Sequence, residues 1–171
     1  MATDGVIITH PNREKASSQV ARVLVALLLL ASAILIGIVL FGGWDLMEGM
    51  QSVTIAYILL YLGAIVLMFR WNRGVLPVIA ALAIVMAIFC GVAAPEWFSR
   101  DKAGFSEASL SNSVLGTFTI VTGIVQIALL IVAMIAFRQQ WNVEVERPAS
   151  TAGAGPADGG SRPGPAEPLP A

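Results

Sequence analysis

The sequence has few charged residues, and this scarcity excludes an ordinary soluble domain. Only 12% of its 171 residues are Asp, Glu, Lys or Arg, whereas 57% are hydrophobic and the mean hydropathy is +0.80. Soluble globular domains carry charge on about a quarter of their residues. The composition therefore predicts an integral membrane protein.

Cysteine and histidine are almost absent, which removes several classes of membrane enzyme. Cys90 is the one cysteine, so the chain can form neither an internal disulfide nor a CxxC redox pair. The one histidine, His10, cannot supply the paired axial ligands of a membrane haem. The sequence also contains no Walker loop, nucleophile elbow or metal-ligand spacing. We therefore expect no catalytic residues, no cofactor and no metal site.

Charged residues are missing altogether from four long stretches. Residues 23–41, 52–69, 75–94 and 114–137 contain no Asp, Glu, Lys, Arg or His. A helix rises about 1.5 Å per residue, so each stretch is long enough to cross a hydrocarbon core of roughly 30 Å. The predicted fold class is an all-α integral membrane protein, an antiparallel up-down-up-down four-helix transmembrane bundle. Its predicted spans are about residues 20–41, 52–69, 75–94 and 114–137.

The first stretch could also be read as a signal peptide, because Ala31, Ser32 and Ala33 resemble a cleavage site. We favour a retained span, since residues 34–41 continue the apolar run beyond the usual core of a signal peptide. The absence of an acid or base within the four spans also disfavours a proton-coupled carrier, which needs a titratable group in the membrane.

Composition divides the chain into three parts. Residues 1–17 are a polar cytoplasmic tail, residues 18–141 the transmembrane domain and residues 142–171 a second cytoplasmic tail. From about residue 148 this tail is rich in Pro, Gly and Ala, and we expect disorder because it has little to bury. Residues 139–147 alternate like a strand. No other segment looks able to pair with them, so an extended helix, a frayed end and addition to a partner's sheet remain open.

The basic residues are concentrated on one side of the expected bundle. Of the ten, eight lie before the first span, in the turn 70–74 or after the last span, and only Arg100 and Lys102 lie elsewhere. By the positive-inside rule, both termini and this turn are cytoplasmic, while residues 42–51 and 95–113 face outward. The sequence thus predicts a multi-pass protein of the cell membrane.

Tryptophan and turn-forming residues mark the ends of the spans. Trp44, Trp71, Trp97 and Trp141 each lie within a few residues of a predicted span end, where an indole ring can sit at the lipid headgroups. We interpret them as interfacial anchors. In the short turn 70–74, Asn72 and Gly74 are the residues that tolerate a left-handed backbone.

Polar residues gather on one face of the second span and on one face of the last span. This intramembrane polar seam consists of Thr54, Tyr57, Tyr61, Thr119, Thr122 and Gln126. We expect both faces to point inward. The seam either joins the helices or lines a path for a solute. We favour joining, because polar bonds between membrane helices contribute only about 0.6 kcal/mol on average and are ordinary packing devices.

Cations and aromatic rings near the span ends are candidates for contact with lipid or with a partner. They are Arg70, Trp71, Arg73, Trp97, Arg100 and Lys102. In the outer loop, Arg100 and Lys102 could hold a lipid phosphate while neighbouring rings enter the interface; a solvated loop with an Asp101 ion pair is the alternative. The expected partners are a bilayer with anionic headgroups and a membrane protein or second copy of the chain, with no nucleic acid.

Three motifs carry a resemblance to a known group: "RWNRGVLP" (70–77), "PEWFSRDKAGF" (95–105) and "QQWNVEVE" (139–146). Together they resemble a group of uncharacterised actinobacterial four-span integral membrane proteins that have no assigned function. The resemblance implies the plasma membrane of a bacterium. It implies no activity, and no catalytic residue can be carried over from it.

Two functions are consistent with these features. The first is a non-enzymatic accessory, assembly or lipid-interacting protein. The alternative is an oligomeric channel or facilitator for an uncharged small solute, lined by the polar seam. A channel requires a continuous wet passage, whereas an accessory protein requires only a dry and packed interior.

Overall fold

Four long helices form most of the structure. The computed structural model of the chain describes residues 6–9, 15–47, 49–102, 108–139 and 145–148. The helices are α1 (Ala16–Gly42), α2 (Gln51–Phe69), α3 (Val75–Ser99) and α4 (Asn112–Arg138). Each is long and apolar enough to cross a membrane. The predicted four-helix transmembrane bundle is therefore confirmed, and the chain is a multi-pass membrane protein.

One helix extends well beyond its predicted span. The sequence suggested that the third span ends at Ala94, before Pro95, but α3 continues through Pro95 to Ser99. Proline lacks only the hydrogen bond to the carbonyl one turn earlier, and packed membrane helices tolerate this loss. As a result Glu96 and Trp97, expected in a loop, lie on a helix.

The four helices form a ring in which one contact is weak. α3 and α4 pack most closely, α4 also packs against α1, and α1 packs against α2. α2 and α3 pack least against each other, although the shortest connection joins them. We call the end at residues 69–74 and 136–139 the turn end, and the end at residues 42–47, 49–51, 97–102 and 108–112 the loop end.

The polar faces of α2 and α4 point inward, as predicted. On α4, Thr119, Thr122 and Gln126 are buried, whereas Thr117 on the opposite side is exposed. On α2, Tyr57 and Tyr61 are buried. The outer surface of the bundle exposes large apolar side chains on all four helices, which suits a hydrocarbon environment.

The turn between α2 and α3 uses an unexpected residue for its left-handed backbone. Trp71 has φ +57°, whereas Gly74 has φ −62°. The Asn72 N–H bonds to the Leu67 carbonyl at 3.2 Å and the Trp71 N–H to the Met68 carbonyl at 3.1 Å. This pair of bonds is the Schellman motif, in which glycine normally occupies the position of Trp71. The left-handed residue of this turn is therefore neither Asn72 nor Gly74, the two that tolerate this conformation best.

Two short strands lie outside the helices. β1 (Val6–Thr9) and β2 (Val145–Pro148) pair antiparallel, with Val6 opposite Pro148 and Thr9 opposite Val145. The expectation that nothing in the chain could pair with residues 139–147 was wrong, because it overlooked the β-branched run in β1. The strands belong to one compact unit and residues His10–Val143 to another. The tail predicted to be disordered, residues 149–171, lies outside the described residues.

Candidate functional site

Hydrogen bonds between buried side chains cross the bundle near its middle. The Tyr61 hydroxyl on α2 donates to Oε1 of Gln126 on α4 at 2.7 Å. Nε2 of Gln126 donates to Oγ of Ser32 on α1 at 3.0 Å. The Ser32 hydroxyl donates in turn to the Leu28 carbonyl of its own helix at 2.7 Å. We call Tyr61, Gln126 and Ser32 the polar crossing.

The polar crossing is fully buried, and each of its three side chains has a hydrogen-bond partner. All three side chains have 0% exposure. A buried amide or hydroxyl without a partner costs about 1–3 kcal/mol, so the three groups stabilise the arrangement in which α1, α2 and α4 are adjacent. The amide of Gln126 within the apolar α4 thus bonds to side chains of two other helices, α1 and α2.

The threonines of the seam make bonds within their own helices. Thr119 donates to the Leu115 carbonyl at 2.8 Å, and Thr122 donates to the Phe118 carbonyl at 2.8 Å. Thr54 donates in the same way to the Met50 carbonyl at 2.9 Å. Such bonds satisfy the hydroxyl hydrogen without any partner from another helix. These threonine hydroxyl groups therefore need no hydrogen-bond acceptor from a neighbouring helix or from a bound molecule.

A cavity of about 500 Å³ separates α2 and α3 on the loop-end side of the polar crossing. This volume lies within the range of roughly 300–1,000 Å³ typical of small-molecule sites. Its walls come from all four helices and the α1–α2 connection. They are Ile36, Val39, Asp45, Leu46, Met47, Met50, Val53, Thr54, Tyr57, Met86, Phe89, Cys90, Ala93, Glu96, Trp97, Arg100, Thr119 and Thr122.

Charged groups of both signs line the cavity near the loop end. Asp45 comes from the 3-10 turn Trp44–Leu46, Glu96 lies in the last turn of α3, and Arg100 follows directly after the end of this helix. Within the described part of the chain, none of the three forms an ion pair. We call these three residues the charged rim. Sequence analysis missed Asp45 and Glu96 as site residues, because both were assigned to loops.

Tyr57 forms part of the cavity wall below this rim. Its ring meets Tyr61 and Phe89 edge to face, with centroid distances of 5.9 and 6.3 Å. The residue is only 8% exposed. Its hydroxyl has no hydrogen-bond partner among residues the structure describes. Tyr57 therefore presents an unused donor in a largely apolar cavity.

Trp97 does not occupy the interfacial position expected of an anchor. It is 8% exposed and lines the cavity. A Cβ atom placed on Gly43 would lie 2.7 Å from Cη2 of Trp97, so the ring packs directly against the backbone that leaves α1. Trp44, by contrast, is 43% exposed and stacks on Phe41 at 6.4 Å. Trp141 is outside the described residues.

At the turn end, two arginines pack on aromatic rings. The Arg22 guanidinium lies 4.1 Å from the centre of the Trp71 ring and 5.6 Å from that of Phe69. Arg73 lies 4.4 Å from the Phe137 ring and donates to the Phe137 carbonyl from Nη2 at 2.7 Å and from Nε at 3.1 Å. The Arg22 contacts hold α1 against the end of α2 and the α2–α3 turn, and the Arg73 contacts hold this turn against the last turn of α4.

The structure divides the predicted surface residues between the two ends of the bundle. Arg70, Trp71 and Arg73 lie at the turn end, while Trp97, Arg100 and Lys102 lie at the loop end. Arg70 and Lys102 are exposed, whereas Arg100 is half-buried in the cavity wall. The seam residues, in contrast, come together: Tyr61 and Gln126 bond directly and the other four line the cavity.

One member of the polar crossing, Ser32, was not predicted. It lies in the middle of an uncharged run and was read there only as part of a possible cleavage site. Its one distinguishing signal is a hydroxyl flanked by small residues, which favours close approach of another helix. A single span does not reveal which helix that is.

The described residues contain no group of three or more His, Cys, Asp or Glu side chains that could hold a metal ion. Comparison of the chain with protein-family models, with curated proteins and with solved structures gives no match.

Proposed function

We propose that the protein is a non-enzymatic, lipid-interacting accessory protein of the membrane and that it conducts no solute. One observation carries this proposal: the interior is closed between the cavity and the turn end. The polar crossing spans this region, and Leu29, Met68, Leu76, Ile79 and Leu129, each fully buried, fill the space around and below it. A water-filled route past the polar crossing would have to break at least the buried Tyr61–Gln126 bond.

The cationic flanks support an orientation with the turn end in the cytoplasm. Eight of ten basic residues flank that end in sequence, which favours cytoplasmic termini. Arg70, Arg138 and Lys15 are exposed there and would meet the anionic headgroups of the inner leaflet. Each such contact contributes about 1 kcal/mol near the surface. The sequence resemblance to actinobacterial proteins favours a bacterial plasma membrane.

A facilitator for an uncharged solute is the second candidate, and the cavity favours it. Tyr57, Thr119 and Thr122 carry hydroxyl groups into a space that reaches from the loop end towards the middle of the bundle. A solute could pass further only if the Tyr61–Gln126 bond opened. This opening would leave buried polar groups without partners, at a cost of about 1–3 kcal/mol for each group.

Solute flux into proteoliposomes distinguishes the two candidates. The full chain is reconstituted, and swelling with water, glycerol and urea is followed by stopped-flow light scattering. We expect rates equal to those of protein-free vesicles. Flux above that level would overturn the accessory function. If that flux also changes in Gln126→Leu and not in the exposed control Thr117→Val, the polar crossing is the gate of a facilitator.

A further inference from the structure

Part of the cavity wall is both apolar and exposed. Val53 on α2 and Phe89 on α3 line the cavity, and each is about two-fifths exposed. They lie on the two helices that pack least against each other. A molecule entering here comes from the bilayer, and the part that enters first must be apolar.

The walls of the cavity suit a hydrocarbon chain. Ile36, Val39, Met86 and Ala93 supply apolar contacts, and the methionine side chain adapts its shape to its neighbour. The threonines in the wall already donate to their own helices, so a chain can lie against them without leaving a donor unpaired. Tyr57 is different, because its hydroxyl needs an acceptor such as an ester carbonyl.

The charged rim selects the headgroup. Arg100 offers a guanidinium to a phosphate, and Asp45 and Glu96 offer two carboxylates to an ammonium group. The cation and the two anions are all without ion-pair partners in the described residues. A quaternary choline ammonium has no N–H to donate to these carboxylates. A glycerol headgroup brings no positive charge at all.

From these observations we propose that the cavity binds one phospholipid with an ethanolamine headgroup. One acyl chain occupies the cavity through the gap between α2 and α3, the Tyr57 hydroxyl donates to an ester carbonyl, and the charged rim holds the zwitterionic headgroup. This proposal rests on the lipid-interacting function proposed above and names the lipid class. The binding site is separate from the exposed arginines of the turn end.

Cys90 provides a built-in reporter, since it is the one cysteine and lines the cavity. The full chain is purified in mild detergent and supplemented with phospholipids that have identical acyl chains and ethanolamine, choline or glycerol headgroups. The rate of Cys90 alkylation by a membrane-permeant maleimide is then measured. We expect the ethanolamine lipid to slow alkylation at least tenfold more than the other two. Equal rates in all three lipids would overturn the proposal.

Two further experiments separate the contribution of the headgroup to protection from that of the acyl chain. Water-soluble glycerophosphoethanolamine, which has no acyl chains, should give no protection; protection equal to that of the lipid would overturn the lateral entry of a chain. The variant Asp45→Asn/Glu96→Gln should lose the ethanolamine preference but keep some protection by all three lipids. The control Asp101→Asn, exposed and outside the cavity wall, should behave like the parent chain. Loss of preference in the control as well would contradict the role of the rim.

A displaced reporter tests whether protection is local to the cavity. In Cys90→Ser/Ile124→Cys the thiol lies on the outer face of α4, where Ile124 is 61% exposed. Its alkylation should not depend on the headgroup, and the same dependence as at Cys90 would overturn the site. If Cys90 is indifferent to lipid while vesicles stay tight to solutes, only the lipid assignment fails. Solute flux would refute the accessory function whether or not lipid protects Cys90.

Discussion

At the scale of single residues, Gln126 determines how three helices meet. Its amide has one acceptor and one donor group, and each is used by a different neighbour. Leucine at the same position would fill the space but would leave the hydroxyl groups of Tyr61 and Ser32 facing an apolar side chain. The residue therefore contributes specificity of packing as well as stability.

The first prediction is a measurable coupling between Tyr61 and Gln126. In a double-mutant cycle of Tyr61→Phe and Gln126→Leu, we expect each single change to destabilise the bundle. The double variant should lose less than the sum, by about 0.6 kcal/mol and at most about 1.7 kcal/mol, the range for polar bonds between membrane helices. Unfolding in mixed detergent micelles measures the free energies. The control is Thr117→Val, because the Thr117 hydroxyl bonds to the Ser113 carbonyl of its own helix, and this change should show no coupling to Tyr61→Phe. Additive losses of stability for Tyr61→Phe and Gln126→Leu would contradict the bond between the two side chains.

The second prediction concerns the left-handed backbone of Trp71. Glycine relieves the steric cost of this conformation, about 1–2 kcal/mol, but removes the ring on which Arg22 lies. We therefore expect Trp71→Gly to change the free energy of unfolding little in the parent chain. In an Arg22→Gln background, where the cation is already absent, Trp71→Gly should be more favourable than in the parent chain by about 1 kcal/mol.

Arg70→Gly is the matched control for this change. Arg70 precedes Trp71 and has φ −81°, so glycine relieves nothing there and should destabilise in both backgrounds. Stabilisation by Arg70→Gly would argue against strain at Trp71, whereas the same effect of Trp71→Gly with and without Arg22 would argue against the contribution of the Arg22–Trp71 contact.

The residue-scale features were only partly predictable from the sequence. Helical periodicity was sufficient to place Tyr61 and Gln126 on inward faces, because a 100° rotation per residue is a local property. The partner Ser32 was not predictable, since the pairing of faces depends on how three helices are arranged. Trp71 was missed for a different reason: residue preference favours Asn or Gly in a left-handed turn, and a stacked arginine overrides that preference here.

At the scale of helices, close approach depends on particular glycines. A Cβ atom placed on Gly123 of α4 would lie 3.2 Å from Cβ of Cys90 on α3, whereas one placed on Gly91 would meet nothing within 4 Å. Both glycines lie within uncharged spans, so the sequence alone does not distinguish them. Only the packing of α3 against α4 distinguishes the two.

The third prediction follows from this difference. Gly123→Leu should force α3 and α4 apart and destabilise the bundle by about 1–3 kcal/mol, the usual cost of overpacking. Gly91→Leu, the matched control, should be tolerated because the new side chain faces open space. Thermal unfolding in detergent compares the two variants. Equal losses of stability would contradict the close contact at Gly123.

The element boundaries illustrate where sequence patterns fail. Uncharged runs located all four helices, because hydrocarbon excludes charge. They gave the wrong end for α3, since proline and glutamate suggested a loop where a helix continues to Ser99. This error removed Glu96 from consideration as a site residue. It also hid the charged rim, because the helix that continues to Ser99 places Glu96 one turn before Arg100, the residue that caps it.

At the scale of the whole molecule, the arrangement is asymmetric from end to end. The turn end is packed and flanked by most of the cations, whereas the loop end contains the cavity and charges of both signs. Such an asymmetry suits a protein that meets different surroundings on the two sides of a membrane. The orientation we propose places the packed end in the cytoplasm.

The fourth prediction tests that orientation with cysteine reporters in a Cys90→Ser background. Ser17→Cys lies at the turn end and Ser109→Cys at the loop end, and both positions are exposed. A membrane-impermeant maleimide should label Ser109→Cys in intact cells. It should label Ser17→Cys only after permeabilisation, because the cationic flanks remain inside. The reverse pattern, or labelling of both positions in intact cells, would refute the orientation.

The order of the polar crossing along the chain has a consequence for biogenesis. Ser32 is translated first, Tyr61 next and Gln126 last, more than sixty residues after Tyr61. The first two hydroxyl groups therefore enter the bilayer before the amide that joins them exists. A nascent chain released before α4 is complete would keep its first three helices but lack the hydrogen bonds of Gln126. A truncated product would thus differ from a finished one by a Tyr61 hydroxyl without its Gln126 acceptor in the middle of the bundle.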